Sequence, residues 1–479
     1  VQHAIGGDAT SDERNRLLAV GVALLAVAID QITAPAIAPA ARAIGSDLRI
    51  DAPAALWIAV GFNAAYFAAI ATSFWFITVV GKRRYFGSTC VGFALASIAC
   101  ALATSGSWLL VARVAQGLTL GGVFTAALLT IMGACPPKRL PIAFACFAVV
   151  SLAVPALAPT IAGYAMSTGT WRAVFVLLAI PALAVGLGAL ALFRDPYPAR
   201  RRSFDVLTFA TLAAFVLSFQ YLVNAAATAS TAGTPGLVRL GVIAVVALAL
   251  YVLREGRSDA AFFDLRLFET PLVGQGATTG ALLGVLLAAA GALLQFVLGP
   301  LHFTPAQGAA LLAAPLGGIL VGVPLITVLS GRNRLGTKPA MLIGLALLSL
   351  AFLAQHAVST PGAGWWPFAA IGVVQGFAFA FVLGPLAAAI FASVSPAELP
   401  SMAVIFKLSM LIGASLSAPL AAAFLHASIA HDARPGDADA VTRAYADLWI
   451  AGAAVALVAA LIVSSLRIPA PHAGEAVAS

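Results

Sequence analysis

Charge is what this chain has least of. Asp, Glu, Lys and Arg together make up 9% of 479 residues, where a soluble globular domain carries about 25%. A soluble surface needs charge however large the core beneath it, so the composition excludes a soluble protein. Cysteine is also rare. Cys90, Cys100, Cys135 and Cys146 lie in or at the ends of apolar runs, with no C-x-x-C pair and no zinc spacing, which excludes a dithiol centre or a structural zinc site. The six histidines show no ligand spacing either. No Gly-x4-Gly-Lys-Ser/Thr loop occurs, so the chain has no ATP-driven machinery of its own. No nucleophile–base or metal constellation is visible, which argues against an enzyme. The net charge of +8 is spread between apolar runs rather than gathered in a patch, which argues against a nucleic-acid partner.

What is present is apolar length. Hydrophobic residues make up 62% of the chain and the mean hydropathy is +1.02, values that belong to a polytopic helical membrane protein. Fourteen runs are long enough to cross a bilayer. The first six are 17–41, 54–80, 85–104, 108–134, 141–167 and 172–193. Two more follow at 204–223 and 237–254, then six at 272–300, 305–330, 338–356, 366–392, 400–426 and 447–467. The first run, with an acid in its middle, is too long for a signal-peptide core and reads as a retained helix. With the N-terminus inside, 18 of the 26 Lys and Arg residues fall in cytoplasmic segments, 6 fall outside, and Arg113 and Lys407 lie within runs. That bias predicts both termini on the cytoplasmic side of a bacterial inner membrane.

The chain also repeats. Val114, Gln116 and Gly117 recur as Val373, Gln375 and Gly376, and Pro137, Leu140 and Pro141 recur as Pro396, Leu399 and Pro400, all at an offset of 259. Runs one to six and nine to fourteen therefore read as two related halves with two helices inserted between them, the architecture of major facilitator transporters. The expected divisions are a tail at 1–16, a six-helix half at 17–195, the inserted pair with its linkers at 196–270, a second half at 271–467 and a tail at 468–479.

Few residues in the runs carry chemistry. Asp30 is the only acid deep inside one, about 20 Å from its near end in a core about 30 Å thick. An ionised acid there costs on the order of 3 kcal/mol and is functional by default. Burial favours the neutral form of an acid and a nearby cation favours the charged form, so a carboxyl between the two can load and unload a proton. Pro35 removes the hydrogen bond to the Gln31 carbonyl and predicts a bend just beyond Asp30. Arg113 reads as a cation facing a central cavity, tuning Asp30 or orienting substrate. Lys407 either snorkels or faces the same cavity, and two cations against one acid would favour neutral or weakly acidic amphipathic compounds. Phe62, Phe67, Phe74, Phe377, Phe379 and Phe381 are candidate apolar walls. Gly117 with Gly121, and Gly280 with Gly284, have the spacing of close helix contacts.

Several of these stretches resemble the fourteen-span drug/proton antiporters of the major facilitator superfamily, the EmrB/QacA-type multidrug exporters. They are Asp30 with Pro39; Arg113-Val114-Ala115-Gln116-Gly117; Pro155, Pro159 and Gly163 followed by Trp171-Arg172; and Asp264-Leu265-Arg266-Leu267-Phe268. The chain departs from that pattern at Phe74 and Thr78, at Ala158 and Ala162, and at Pro35 and Ser409. The resemblance implies an all-α integral membrane protein of major facilitator fold that exports hydrophobic small molecules against protons. It implies Asp30 and Arg113 in proton coupling, and it marks Pro155 and Pro159 as antiporter residues. Gln116, Gln375, Lys407 and Pro35 complete the candidate cavity and gating set. No cofactor is implied, the proton gradient being the energy source. Some relatives hand substrate to a periplasmic adaptor, a partner that the outer segment 427–446 neither requires nor excludes. Proton-coupled uptake and a transport-deficient sensor or assembly subunit are the alternative readings.

Overall fold

A computed structural model of the chain describes residues 2–37, 40–136, 139–167, 169–193, 203–227, 234–258, 261–299, 301–332, 334–360, 362–395, 397–432 and 439–466. Pro39, Pro137 and Pro396 lie outside them. The described residues form helices joined by short connections. In the first part of the chain these are α1 (Gln2–Ile37), α2 (Ala41–Asp47), α3 (Ala52–Val80), α4 (Lys82–Ala101), α5 (Gly106–Leu120), α6 (Val123–Ala134), α7 (Leu140–Ser167) and α8 (Arg172–Leu192). Then come α9 (Val206–Ala227) and α10 (Thr234–Glu255). The last part holds α11 (Pro271–Leu298), α12 (Pro305–Ala313), α13 (Pro315–Gly331), α14 (Thr337–Val358), α15 (Trp365–Ala392), α16 (Leu399–Asp432) and α17 (Ala440–Ser465). Twelve helical stretches among the described residues are long and apolar enough to cross a membrane, α5 with α6 and α12 with α13 each forming one. With α4 and α7 they match the fourteen runs read from the sequence.

Local chemistry sets the helix ends. Asp51 caps α3 by accepting from the Ala54 N–H, with a proline in the first turn, and Ser105 caps α5 through the Trp108 N–H. Thr304 and Gln307 form a reciprocal capping box at α12. Two expected single helices are broken. Span four divides at Gly121–Gly122, where the Tyr85 phenol occupies the place a Gly122 side chain would take. Span ten divides at Ala314, before Pro315, which has no N–H to continue the ladder. Pro35 lies within α1, which is helical on both sides of it up to Ile37, the last described residue of this stretch.

Packing repeats as the sequence does. α1 packs on α7, α3 on α5 and α4 on α8; in the second set α11 packs on α16, α13 on α15 and α14 on α17. α9 and α10 pair with each other, and α9 also touches α3 and α16. The two sets meet where α16 crosses α3 and α6, and where α7 faces α13. Asp205 ties the inserted pair together: it accepts from the Thr208 N–H at 3.0 Å and hydroxyl at 2.6 Å, and from Arg254 of α10 at 3.2 Å. The Thr208 hydroxyl first, then its N–H and Arg254, hold the Asp205 carboxyl down at about 2. A depressed acid stabilises the fold above its ordinary value of 3.8 and loses that contribution as pH falls toward about 2. Amide protection at the start of α9, corrected for intrinsic exchange, should decline across that window and be flat across it in Asp205→Asn. Because the group is partly exposed, the effect is small.

Candidate functional site

Ala19, Ala23, Ala26 and Asp30 recur at helical spacing along the buried face of α1, and that register turns the carboxylate inward. Its two oxygens are separately bound. The Tyr66 hydroxyl of α3 donates to Oδ1 at 2.6 Å. The Lys407 ammonium of α16 donates to Oδ2 at 2.8 Å, and the Asp30 side chain is fully shielded from solvent while that of Lys407 is 11% exposed. Lys407 Nζ also donates to Gln31 Oε1 at 3.0 Å and lies 4.4 Å from the centre of the Phe124 ring. The ion pair joins the two helix sets. Neither snorkelling nor solvent supplies these charges with partners; they have each other.

The fixed orientation of Gln31 comes from Pro155. A proline has no N–H, so Pro155 leaves the carbonyl four residues earlier, that of Ser151, without its helical donor. Gln31 Nε2 donates to this carbonyl at 2.8 Å. Anchored by its nitrogen, the amide presents its oxygen to Lys407. Pro155→Ala should restore the α7 hydrogen bond, compete with Gln31 for the Ser151 carbonyl and loosen the Lys407 contact. The expected outcome is a helix as stable as the parent or more so, with the Gln31 side chain less restrained. Thermal unfolding and the side-chain amide order of Gln31 by NMR check it, and an equally ordered Gln31 would show that the Ser151 carbonyl does not orient it.

Arg113 is buried but belongs to a neighbouring network. It donates to Gln116 Oε1, stacks its guanidinium 3.8 Å from the centre of the Phe62 ring, and makes no ion pair with a carboxylate among the described residues. Gln116 in turn donates to Ser97 of α4 at 2.8 Å. Phe62 stacks on Tyr66 with centroids 5.9 Å apart, so two stacked rings link Arg113 to the phenol that donates to Asp30. The repeat mate of Gln116 behaves alike: Gln375 donates to Gln355 of the preceding helix at 2.9 Å. Pro35 sits in the last turn of α1 and Pro159 in α7, the Pro159 side chain lying outside the described residues. Among the candidate walls, Phe62, Phe67, Phe379 and Phe381 are buried packing residues. A cavity of about 660 Å³ lies between α1, α6 and α7. Leu17, Val20, Leu24 and Ile142 wall it, with Arg16 and Arg139 at its polar end. It reaches Leu24, about 9 Å along α1 from Asp30.

Residues 18–302, more than half of the chain, match the family model described as Major Facilitator Superfamily. The chain belongs to the Major Facilitator Superfamily. It is 24% identical over 418 residues to a Multidrug resistance protein B homolog of Mycobacterium tuberculosis, covering 85% of this chain and 76% of that one. It is 24% identical over 363 residues to Multidrug export protein EmrB of Escherichia coli, covering 75% and 70%. It is 30% identical over 301 residues to Putative multidrug resistance protein MdtD of Shigella sonnei, covering 61% of each. Among solved structures, the human organic anion transporter MFSD10 (TETRAN) superimposes with a TM-score of 0.66 at 13% identity, covering 94% of this chain and 99% of that one. That likeness is one of fold alone. Superfamily membership makes this a multi-pass membrane transporter rather than an enzyme.

Sequence reasoning finds Asp30, Lys407, Pro155 and the two glutamines, but not Tyr66, Gln31, Phe124 or the Ser151 carbonyl. A phenol and an amide inside apolar runs are the available signals for the first two. It also passes over Asp47, which at the end of α2 accepts from Arg172 at 2.7 Å and Trp171 at 2.9 Å. Arg172 first, then Trp171, holds the Asp47 carboxyl below its ordinary value. The Trp-Arg pair of the superfamily resemblance is thus one side of a clasp between α2 and α8. Glu255, placed at a span end by sequence, is buried and accepts from the Phe263 N–H at 3.0 Å and from the Phe262 N–H, fixing the turn after α10.

Proposed function

We propose that the protein is a proton-coupled exporter of hydrophobic small molecules, in which residues 17–195 and 271–467 rock against each other and 196–270 is an insertion. The observation that supports this most is the Asp30–Lys407 pair, a buried acid bound across the two helix sets. While both groups are charged the pair holds the sets together, and removing one charge from a buried pair costs about 3–5 kcal/mol. Protonation of Asp30 cancels that attraction. A proton taken up on one side and released on the other then sets when the halves part, which is the differential state preference that coupling requires. Asp30 is the proton carrier in this reading, Lys407 and Tyr66 hold it, and Arg113 with Gln116 braces Tyr66 through Phe62. The names of the multidrug relatives favour export.

Asp30 neutralises Lys407, so Arg113 is the remaining fixed cation near the centre, and the favoured substrates are neutral or weakly acidic amphipathic compounds. They reach the centre from the cavity beside α1. The basic-residue bias favours a bacterial inner membrane with both termini in the cytoplasm, and a periplasmic adaptor is a partner for the outer face. The test is proton flux. In inverted vesicles acidified by respiration, adding a transported neutral compound should release protons from the lumen, read with a pH-sensitive dye. A panel of neutral compounds, weak acids and lipophilic cations defines the substrate class. Compound-dependent transport with no proton movement would overturn the coupling.

A further inference from the structure

The pocket around Lys407 has the composition of an ammonium receptor. Within it Nζ meets a carboxylate oxygen at 2.8 Å and an amide oxygen at 3.0 Å. The Phe124 and Tyr66 ring centres lie at 4.4 and 5.8 Å. An anionic oxygen, a neutral acceptor and two aromatic rings are what a desolvated organic ammonium ion requires. The ownership of these groups matters. Asp30 and Gln31 come from α1, Tyr66 from α3 and Phe124 from α6, and Gln31 is oriented by α7. Only the guest comes from α16. Any movement that separates the sets withdraws the guest and leaves the receptor whole.

We propose that the Asp30 pocket is a latent binding site for organic ammonium ions, and that Lys407 determines specificity by occupying it. The proposal rests on the reading above that the two sets separate during transport. While Lys407 is present, an external cation must displace it and share one carboxylate with it, so cations are poor substrates and neutral compounds are admitted. Without the Lys407 side chain, protons and organic cations compete directly for Asp30. The other ionisable groups around Asp30 do not provide a substitute site. Tyr66 of α3 is a donor to it, Arg113 of α5 lies behind Phe62, α6 and α7 present Phe124 and the Ser151 carbonyl, and α8 carries no charge beyond Arg172.

Lys407→Ala vacates the ammonium position and the three methylenes behind it, and phenylbutylammonium brings an ammonium of the same four-carbon reach, with an apolar body that enters where the two sets part. Equilibrium binding of this compound to the purified full-length protein should be at least about tenfold tighter in Lys407→Ala than in the parent. Binding should weaken on acidification and release a proton into the buffer. Lys407→Arg, which keeps a cation in place, should bind as poorly as the parent. Asp30→Asn/Lys407→Ala should lose the gain. If Lys407→Ala does not fold, Lys407→Gln is measured in its place with the same expectation. No gain in either variant overturns the proposal. So does a gain that persists in the double variant, which would show binding to an apolar hole alone. The assay reads binding, not flux, so it can fail while proton-coupled export stands, and it can succeed where export proves uncoupled.

Discussion

Asp30→Asn should leave a protein that binds and equilibrates its substrate but no longer concentrates it. Each unit of pH gradient is a tenfold difference in proton activity, so an exchanger moving one proton per substrate sustains about a tenfold substrate gradient, equivalent to about 1.4 kcal/mol. The asparagine variant should sustain none, while downhill exchange continues. The amide still accepts from Tyr66 or Lys407 but cannot alternate between charged and neutral forms, and that alternation is the step being removed. Lys407 is then left without its counter-charge, although Gln31 Oε1, at 3.0 Å in the parent, remains an acceptor. The stability loss should therefore fall below the about 3–5 kcal/mol of a fully uncompensated buried charge. Adding Lys407→Gln should recover part of it, a non-additivity expected only of residues in contact. Uphill transport in Asp30→Asn at the parental level would remove Asp30 from the coupling scheme, whatever the stability data showed.

How much of this site the sequence discloses depends on the range of each interaction. Asp30 stands out because a lone acid in an apolar run is a local anomaly. Its partner is 377 residues away, and nothing in the run around Lys407 indicates which helix it faces. Arg113, also a lone charge in a run, is for the same reason easily matched to Asp30. The structure gives it instead to Gln116 and Phe62, because charge is written in the sequence and side-chain direction is not. The role of Pro155 is half legible: the freed Ser151 carbonyl follows from the proline alone, but its acceptance of Gln31 needs α1 and α7 packed side by side. The repeat is the most legible feature. Gln116 and Gln375 share a register, and each reaches the polar residue of the helix before it. The break at Gly121–Gly122 escapes because both glycines keep helical dihedral angles; Gly121 is legible as a close helix contact, here against the Tyr66 and Ile70 backbone, whereas only the crowding by Tyr85 explains Gly122.

The second large effect concerns glycines at which α5 closes on α3 and α15 closes on α13. A Cβ on Gly117 would stand 3.0 Å from the Tyr66 N and closer still to the Phe62 carbonyl oxygen. A Cβ on its repeat mate Gly376 would stand 2.7 Å from the Pro315 carbonyl carbon and 2.8 Å from its Cα. These neighbours are backbone, so no rotamer change relieves the clash; α15 must move away from α13, or α5 from α3. Overpacking costs typically 1–3 kcal/mol where side chains can yield, and here the loss should be about 3 kcal/mol or more. Gly376→Val should therefore unfold in detergent many degrees below the parent or fail to accumulate in the membrane. Gly117→Val should do the same, and any protein that survives should transport poorly, because α3 carries Tyr66 to Asp30. The control lies on the same helix. Gly384 has nothing within 4 Å of its missing Cβ, so Gly384→Ala meets no neighbour and gains up to about 1 kcal/mol of helix propensity. Equal tolerance of alanine at Gly376 and Gly384 would mean that the close approach of α13 and α15 does not hold the second half together.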